Sequence, residues 1–155
     1  MARRGFSLVE LLIAVATLAI VSAVVAPRYA SSMANYRAGA AGRRVAGDIA
    51  LAQASARAGS ASRRVSFDPD NGRYTIEGVA AADALPGAPR GVNTVVRLAG
   101  DPYRANLISA DFGGRTAITF DGFGRPDAGG TVVLVAGGRS VTVRVASETG
   151  AASVD

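Results

Sequence analysis

Phe6-Ser7-Leu8-Val9-Glu10-Leu11-Leu12-Ile13 opens an apolar stretch that runs to Ala26 with no further charge and ends at Pro27. Phe6 to Ala26 is 21 residues, and about 20 are enough to carry a helix across ~30 Å of hydrocarbon. One carboxylate, Glu10, sits near the start of a segment that otherwise belongs in lipid. Leaving it unpaired in a bilayer costs roughly 3 kcal/mol or more. The charge therefore needs a partner, or it must reach the nearby headgroups, which its place close to the end of the span permits.

Working outward, Arg3 and Arg4 precede the stretch. By the positive-inside rule they hold the N-terminus in the cytoplasm and send the rest across. A secretory signal peptide also begins basic and turns apolar. Here the basic region is only Met1–Gly5, the apolar run is long, and Ser22–Ala26 offers only Val24 and Ala26 at the cleavage spacing. A single-span anchor is the better reading. The chain has no Cys and no His, which removes disulfides and thiol chemistry, and all 17 basic residues are Arg. Against 12 acidic residues they give a formal charge of +5. About 120 residues lie beyond the span, enough for one small domain with a modest core.

From Arg28 to Ala58 the pattern stays helical. Val45, Ile49, Ala52 and Ala56 follow the 3.6-residue period, and Arg37, Arg43, Arg44 and Arg57 fall mostly off that stripe. Gly39, Gly42 and Gly47 each weaken the helix by ~1 kcal/mol relative to alanine, but small residues there allow close packing on a sheet or another helix. One long helix is expected, kinked near Pro27. Its first half lies in the membrane, and its amphipathic second half lies on a globular domain. After Gly59-Ser60 the period becomes that of strands, at 64–67, 73–77, 92–98, 116–120, 131–135 and 140–145. Asp68-Pro69-Asp70-Asn71-Gly72 reads as a hairpin turn, and Ala136-Gly137-Gly138-Arg139 as a tight turn needing positive φ. Residues 78–91 and 99–115 read as loops. The order implies an α+β fold, a long N-terminal helix packed on antiparallel β-sheets.

Gly5-Phe6-Ser7-Leu8-Val9-Glu10-Leu11-Leu12 resembles the processing motif of type IV prepilins, shared by type IV pilins and type II secretion pseudopilins. The resemblance implies a pilin-like fold and a prepilin peptidase that cuts between Gly5 and Phe6, then methylates Phe6. It makes Glu10 the glutamate five residues into the mature chain, and Pro27 the helix-kinking proline. It divides the chain into a leader (1–5), a transmembrane assembly helix (6–27), an amphipathic continuation (28–58) and a periplasmic β-rich domain (59–155). Loss of Arg3 and Arg4 leaves 15 Arg against 12 acids, a charge of +3. The resemblance also supplies a partner for Glu10, the free N-terminal amine of a neighbouring subunit. Opposite charges about 4 Å apart at an effective dielectric near 20 gain roughly 4 kcal/mol, comparable to the burial cost. Such a pair favours docking into a filament with a fixed axial stagger.

Phe120-Asp121-Gly122-Phe123-Gly124-Arg125-Pro126, Gly129-Gly130, the strand from Thr131 to Leu134, the Gly137-Gly138 hairpin and Ser147-Glu148-Thr149-Gly150 resemble the GspH/FimT branch of minor pseudopilins. The chain departs from that pattern where Ala151-Ala152, rather than a basic residue, follows Gly150. The resemblance implies structural work with no enzymatic activity and no cofactor. Its partners are other pseudopilin or pilin subunits, the prepilin peptidase and an inner-membrane assembly platform. The first reading is a minor pseudopilin of a type II secretion pseudopilus. The alternative is a FimT-like minor pilin of a type IV pilus that holds DNA through Arg125, Arg139 and Arg144. Acidic residues interleave with the arginines throughout, which favours ordinary solvated surface over a nucleic-acid stripe. A third reading, an anchor that never assembles, predicts that Glu10→Ala is silent.

Other constellations read blandly. Asp68, Asp70 and Gly72 sketch a calcium loop, but Pro69 interrupts it and no later bidentate acid follows. Asp121 and Asp127 have no catalytic company and read as turn residues. Gly113-Gly114 and Gly129-Gly130 lack the Lys and the strand–loop–helix setting of a phosphate loop.

Overall fold

The computed structural model describes residues 7–79 and 93–155. The leader 1–5, Phe6 and most of the expected loop at 78–91 lie outside the described residues. The chain forms two compact units, Met1–Met33 and Ala34–Asp155. Helix α1 (Leu8–Gly59) is one element of 52 residues that continues through Pro27. It begins where Ser7 can cap it: the Ser7 Oγ accepts the Val9 N–H at 3.3 Å. Pro27 has no N–H, so the Ala23 carbonyl cannot receive its usual helical bond there.

In the first unit the helix is uncharged from Leu11 to Ala26. Leu8, Leu12, Leu18, Ile20 and Val25 all stand exposed. The hydroxyls of Thr17 and Ser22 turn back onto the carbonyls of Ile13 and Leu18, at 3.0 and 2.8 Å. A helix apolar all round is stable only when something other than water surrounds it. This one is long and apolar enough to cross a membrane.

In the second unit the same helix is amphipathic. Ala34, Ala38, Ala41, Val45, Ile49, Ala52 and Ala56 form a fully buried stripe, which includes the four positions expected from periodicity. The strands that follow are β1 (Arg63–Asp68), β2 (Arg73–Ile76), β3 (Thr94–Arg97), β4 (Asn106–Asp111), β5 (Ala117–Phe120), β6 (Gly130–Ala136), β7 (Arg139–Val145) and β8 (Ala152–Val154). They make two antiparallel sheets, ordered β3-β2-β1-β5 and β4-β6-β7-β8. The alternation is regular where the sequence shows it. Val132, Leu134 and Ala136 on β6, and Val141, Val143 and Val145 on β7, all point into the core. The Phe67 ring on β1 lies 5.6 Å from both Tyr74 on β2 and Phe112 just after β4, so an aromatic row ties the two sheets together.

Two strands depart from expectation. β4 falls inside the segment read as a loop at 99–115. A bulge between Leu107 and Ser109 breaks its register, so Leu107 and Ala110 are buried while Ile108 and Ser109 face out. That bulge hides the period of two in the sequence. β8 is three residues long and built mainly of small side chains, and it exists because Val143, Arg144 and Val145 offer it an edge. The expected strand at 92–98 is observed as β3, with Val92 outside the described residues. The hairpin turn at 68–72 stands as expected. Asn71 donates its backbone N–H and its side-chain amide to Asp68, at 3.2 and 2.8 Å. Gly72 takes φ +58°.

The helix glycines differ in purpose. A Cβ on Gly42 would lie 2.9 Å from Val154 Cγ1 and 3.3 Å from Val141 Cγ2, so this glycine lets the β7–β8 edge approach the helix. Gly47 has nothing within 4 Å. A Cβ on Gly130 would collide with the Asp111 carbonyl and the Phe112 ring. Gly47→Ala should therefore raise the unfolding free energy by about 1 kcal/mol through helix propensity. Gly130→Ala should lower it by about 1–3 kcal/mol through overpacking. Denaturant titration of the detergent-solubilised chain, followed by circular dichroism, checks both, and shifts of the same sign would refute this packing argument.

Candidate functional site

Glu10 lies in the first turn of α1, exposed and three residues after Ser7. A carboxylate there complements the partial positive charge of the helix N-terminus. Ser7 and Glu10 also have the Ser-x-x-Glu spacing of a capping box, a local signal that hydropathy alone passes over. Glu10 is the sole carboxylate of the helix before Asp48. Pro27 stands about 25 Å further along at 1.5 Å per residue, so the two residues bracket the apolar span. Gly5 and Phe6 lie outside the described residues.

A second feature of the helix was not anticipated. Asp48 is buried on the alanine stripe, at 4% exposure. It accepts from Arg44 Nε at 2.9 Å and from the Tyr74 hydroxyl at 2.5 Å. A lone buried carboxylate would be costly, and these donors satisfy it. Burial opposes the charge on Arg44, but the hydrogen bond and negative charge of Asp48 outweigh that and hold the guanidinium protonated. Burial, followed by the Asp48 charge and hydrogen bond, pushes the Tyr74 phenol well above its ordinary range. The readable signal is an acid on the apolar stripe with an arginine four residues before it.

At the far end of the helix, side chains of α1 hold the Phe120–Pro126 segment and the 147–150 tail. Gln53 Nε2 donates to the Gly124 carbonyl at 2.8 Å and the Thr149 carbonyl at 2.6 Å. Arg57 Nε donates to the Phe123 carbonyl at 3.2 Å. Asp121 Oδ1 accepts the backbone N–H groups of Phe123 and Arg125, at 2.9 and 2.8 Å, and so closes the turn. Gly124 and Gly150 take φ +75° and +72°. A Cβ on Gly124 would overlap the Arg57 side chain, and one on Gly150 would lie 2.7 Å from the Phe120 ring. Both glycines are required twice over, by conformation and by close approach. Asp127 Oδ1 accepts the Thr119 N–H at 2.9 Å, and its other oxygen pairs with Arg115 at 2.9 Å. Asp121 and Asp127 are therefore structural turn groups.

The three arginines singled out for DNA do not converge. Arg139 lines a cleft of about 370 Å³ with Asn35 and Ala38. The adjoining turn meets the helix at Ala34, since a Cβ on Gly137 would lie 2.7 Å from the Ala34 Cβ. Arg125 belongs to the turn held by Arg57, 23 residues and so about 35 Å further along the helix. Arg144 faces away from the core on β7 and pairs with Asp155 at 3.3 Å. The Asp68 oxygens are taken by Asn71 and by Arg73 at 3.0 Å, as the turn reading expects.

Residues 41–150, well over half of the chain, match the family model for type II transport protein GspH. The chain belongs to the GspH family. Residues 1–26 match the prokaryotic N-terminal methylation motif. No curated protein and no solved structure matches the chain. The GspH match begins within the buried helix stripe and ends at Gly150, which closes the cluster around Gln53. The GspH family is one of structural pseudopilins. The chain is thus a minor pseudopilin of type II secretion or a pilin-like relative, with an apolar N-terminal helix as membrane anchor and other pseudopilin subunits as partners.

The Tyr74 phenol has a folded-state pKa above its ordinary 10.0, so the unfolded chain loses this proton first. The contribution of the Asp48–Tyr74 bond is then intact below about pH 10 and is lost as the pH rises further. Tyr74→Phe should lower stability by about 1–3 kcal/mol near neutral pH. It should also flatten the alkaline decline, as read from denaturant midpoints on either side of about pH 10. Identical alkaline slopes in both chains would remove Tyr74 from this account.

Proposed function

We propose that the chain is a minor pseudopilin of a type II secretion pseudopilus, made as a precursor with leader 1–5. Prepilin peptidase cuts between Gly5 and Phe6 and methylates Phe6. The helix spans the inner membrane once, with the N-terminus cytoplasmic and the β-rich domain periplasmic, until an assembly platform moves the subunit into the fibre. The observation that carries this reading is a helix uncharged from Leu11 to Ala26 whose one early carboxylate, Glu10, sits in its first turn within the methylation motif.

Glu10 and the N-terminal amine do the assembly chemistry. Removal of the leader creates a cation four residues before Glu10, in every copy. In a staggered neighbour the amine and Glu10 can meet across the interface. At about 4 Å and an effective dielectric near 20 the pair gains roughly 4 kcal/mol, against roughly 3 kcal/mol for burying the carboxylate alone. The monomer in lipid is left with an unpaired charge, and the fibre removes that penalty. Pro27, with its missing N–H, is the place where the helix can bend between its two settings. The FimT-like alternative needs a basic surface, and the separation of Arg125 from Arg139 gives it no added support.

Intact-mass analysis of the membrane-extracted chain, produced with a prepilin peptidase, should show loss of residues 1–5 and gain of one methyl group. Gly5→Ala should abolish both. Glu10→Ala should leave processing intact but lower incorporation into sheared fibres roughly tenfold or more. An unprocessed wild-type N-terminus, or normal incorporation of Glu10→Ala, would overturn the reading.

A further inference from the structure

Phe123 is 81% exposed, the most exposed large apolar side chain among the described residues. Its backbone is nevertheless held at three successive points. The Phe123 N–H donates to Asp121 Oδ1 at 2.9 Å, its carbonyl accepts from Arg57 Nε at 3.2 Å, and the next carbonyl, that of Gly124, accepts from Gln53 at 2.8 Å. The ring borders a cleft of about 410 Å³ that Arg57, Ser60 and Gly122 also line. The walls are tightly set. A Cβ on Gly122 would lie 2.9 Å from the Ser60 carbonyl carbon, and Ser60 itself takes φ +46°. A turn whose backbone is this firmly anchored has little backbone freedom left to lose on binding. Aromatic and arginine side chains at one spot are also the groups that dominate binding energy at protein interfaces.

We propose that this cleft docks a second, non-identical subunit of the fibre through a segment that carries a carboxylate beside an apolar side chain. Phe123 is the apolar anchor and Arg57 the charge partner. The proposal rests on the assembly reading above and names one surface for it. Charge complementarity identifies the occupant. Arg57 lines the cleft and Arg125 belongs to the same turn, so an acidic partner is attracted. A second copy of this chain carries a net positive charge and presents the same arginines here. Another cleft, beside Asn35, is lined by Arg139, a cation where an acid is needed. Nucleic acid is a poorer occupant, because Glu148 lies in the tail that Gln53 holds beside this turn, and a phosphate backbone is repelled by a carboxylate there. A rigid complement of this size suits one fixed partner surface better than a range of exported proteins.

Photocrosslinking tests this in cells that produce the complete secretion apparatus. Phe123 of the full-length chain is replaced by p-benzoylphenylalanine, and a second strain carries the same probe at Val95. The expected result is one adduct from position 123 with a different pseudopilin, through a peptide containing Asp or Glu, and no such adduct from position 95. Adding Arg57→Glu should cut the yield roughly tenfold or more, and Phe123→Ala should impair fibre incorporation while leaving leader removal unchanged. An adduct with a second copy, with DNA or with an exported protein overturns the proposal, as does no adduct. Intact mass from the same membranes reports processing separately. A processed chain without the adduct removes the docking site alone, whereas an unprocessed chain removes the assembly reading and the docking site with it.

Discussion

Burial of one face of α1, from Ala34 to Ala56, is the contact on which the globular unit depends. The face is mostly alanine, so each residue removes little apolar area from water. Small side chains instead bring the helix close to both sheets, and Gly42 brings the β7–β8 edge closer still. Bulk comes from Val45 and Ile49 on the helix and from Phe67, Tyr74 and Phe112 opposite. Asp48 interrupts this face, and its bonds to Arg44 and Tyr74 make one rotation of the helix against the sheet better than its neighbours. Alanine alone would not discriminate so sharply between those rotations.

The same helix meets two different surroundings. From Leu11 to Ala26 it carries no charge, and large apolar side chains such as Leu12, Leu18 and Val25 are exposed. After Ala34 an apolar stripe is flanked by arginines. The change follows from what each half must satisfy. Lipid accepts an apolar cylinder in any rotation, whereas a sheet accepts only a matching face. Glu10 is the exception in the first half, and a neighbour's N-terminal amine would resolve it.

The residues at the C-terminal end that resemble the GspH pattern become intelligible as one cluster. Asp121 closes a turn, Gly124 and Gly150 allow backbone and side chains to approach, and Gln53 and Arg57 reach from the helix to hold both segments. Phe123 is left pointing out of a turn that cannot easily relax. A motif that reads as loop punctuation is thus the joint between the helix end and the last strands.

Much of this was legible in the residues. The long helix, its buried stripe at Val45, Ile49, Ala52 and Ala56, the Asp68–Gly72 turn and the β6–β7 hairpin all follow from short-range periodicity and turn chemistry, which a linear sequence records directly. So does the processing motif around Gly5, Phe6 and Glu10 as a pattern. Four things came only from the tertiary structure. β4 was masked because its bulge breaks the alternation, and β8 because three small residues become a strand only beside β7. Asp48 needed Tyr74, 26 residues away in sequence, to show why an acid sits in the core. The separation of Arg125 from Arg139 depends on which end of the helix each turn meets, and Arg144 is set apart by its place on the outer face of β7. Local order was written in spacing along the chain, while partners across the core were decided by packing, where residues distant in sequence complete each other's hydrogen bonds and fill each other's space.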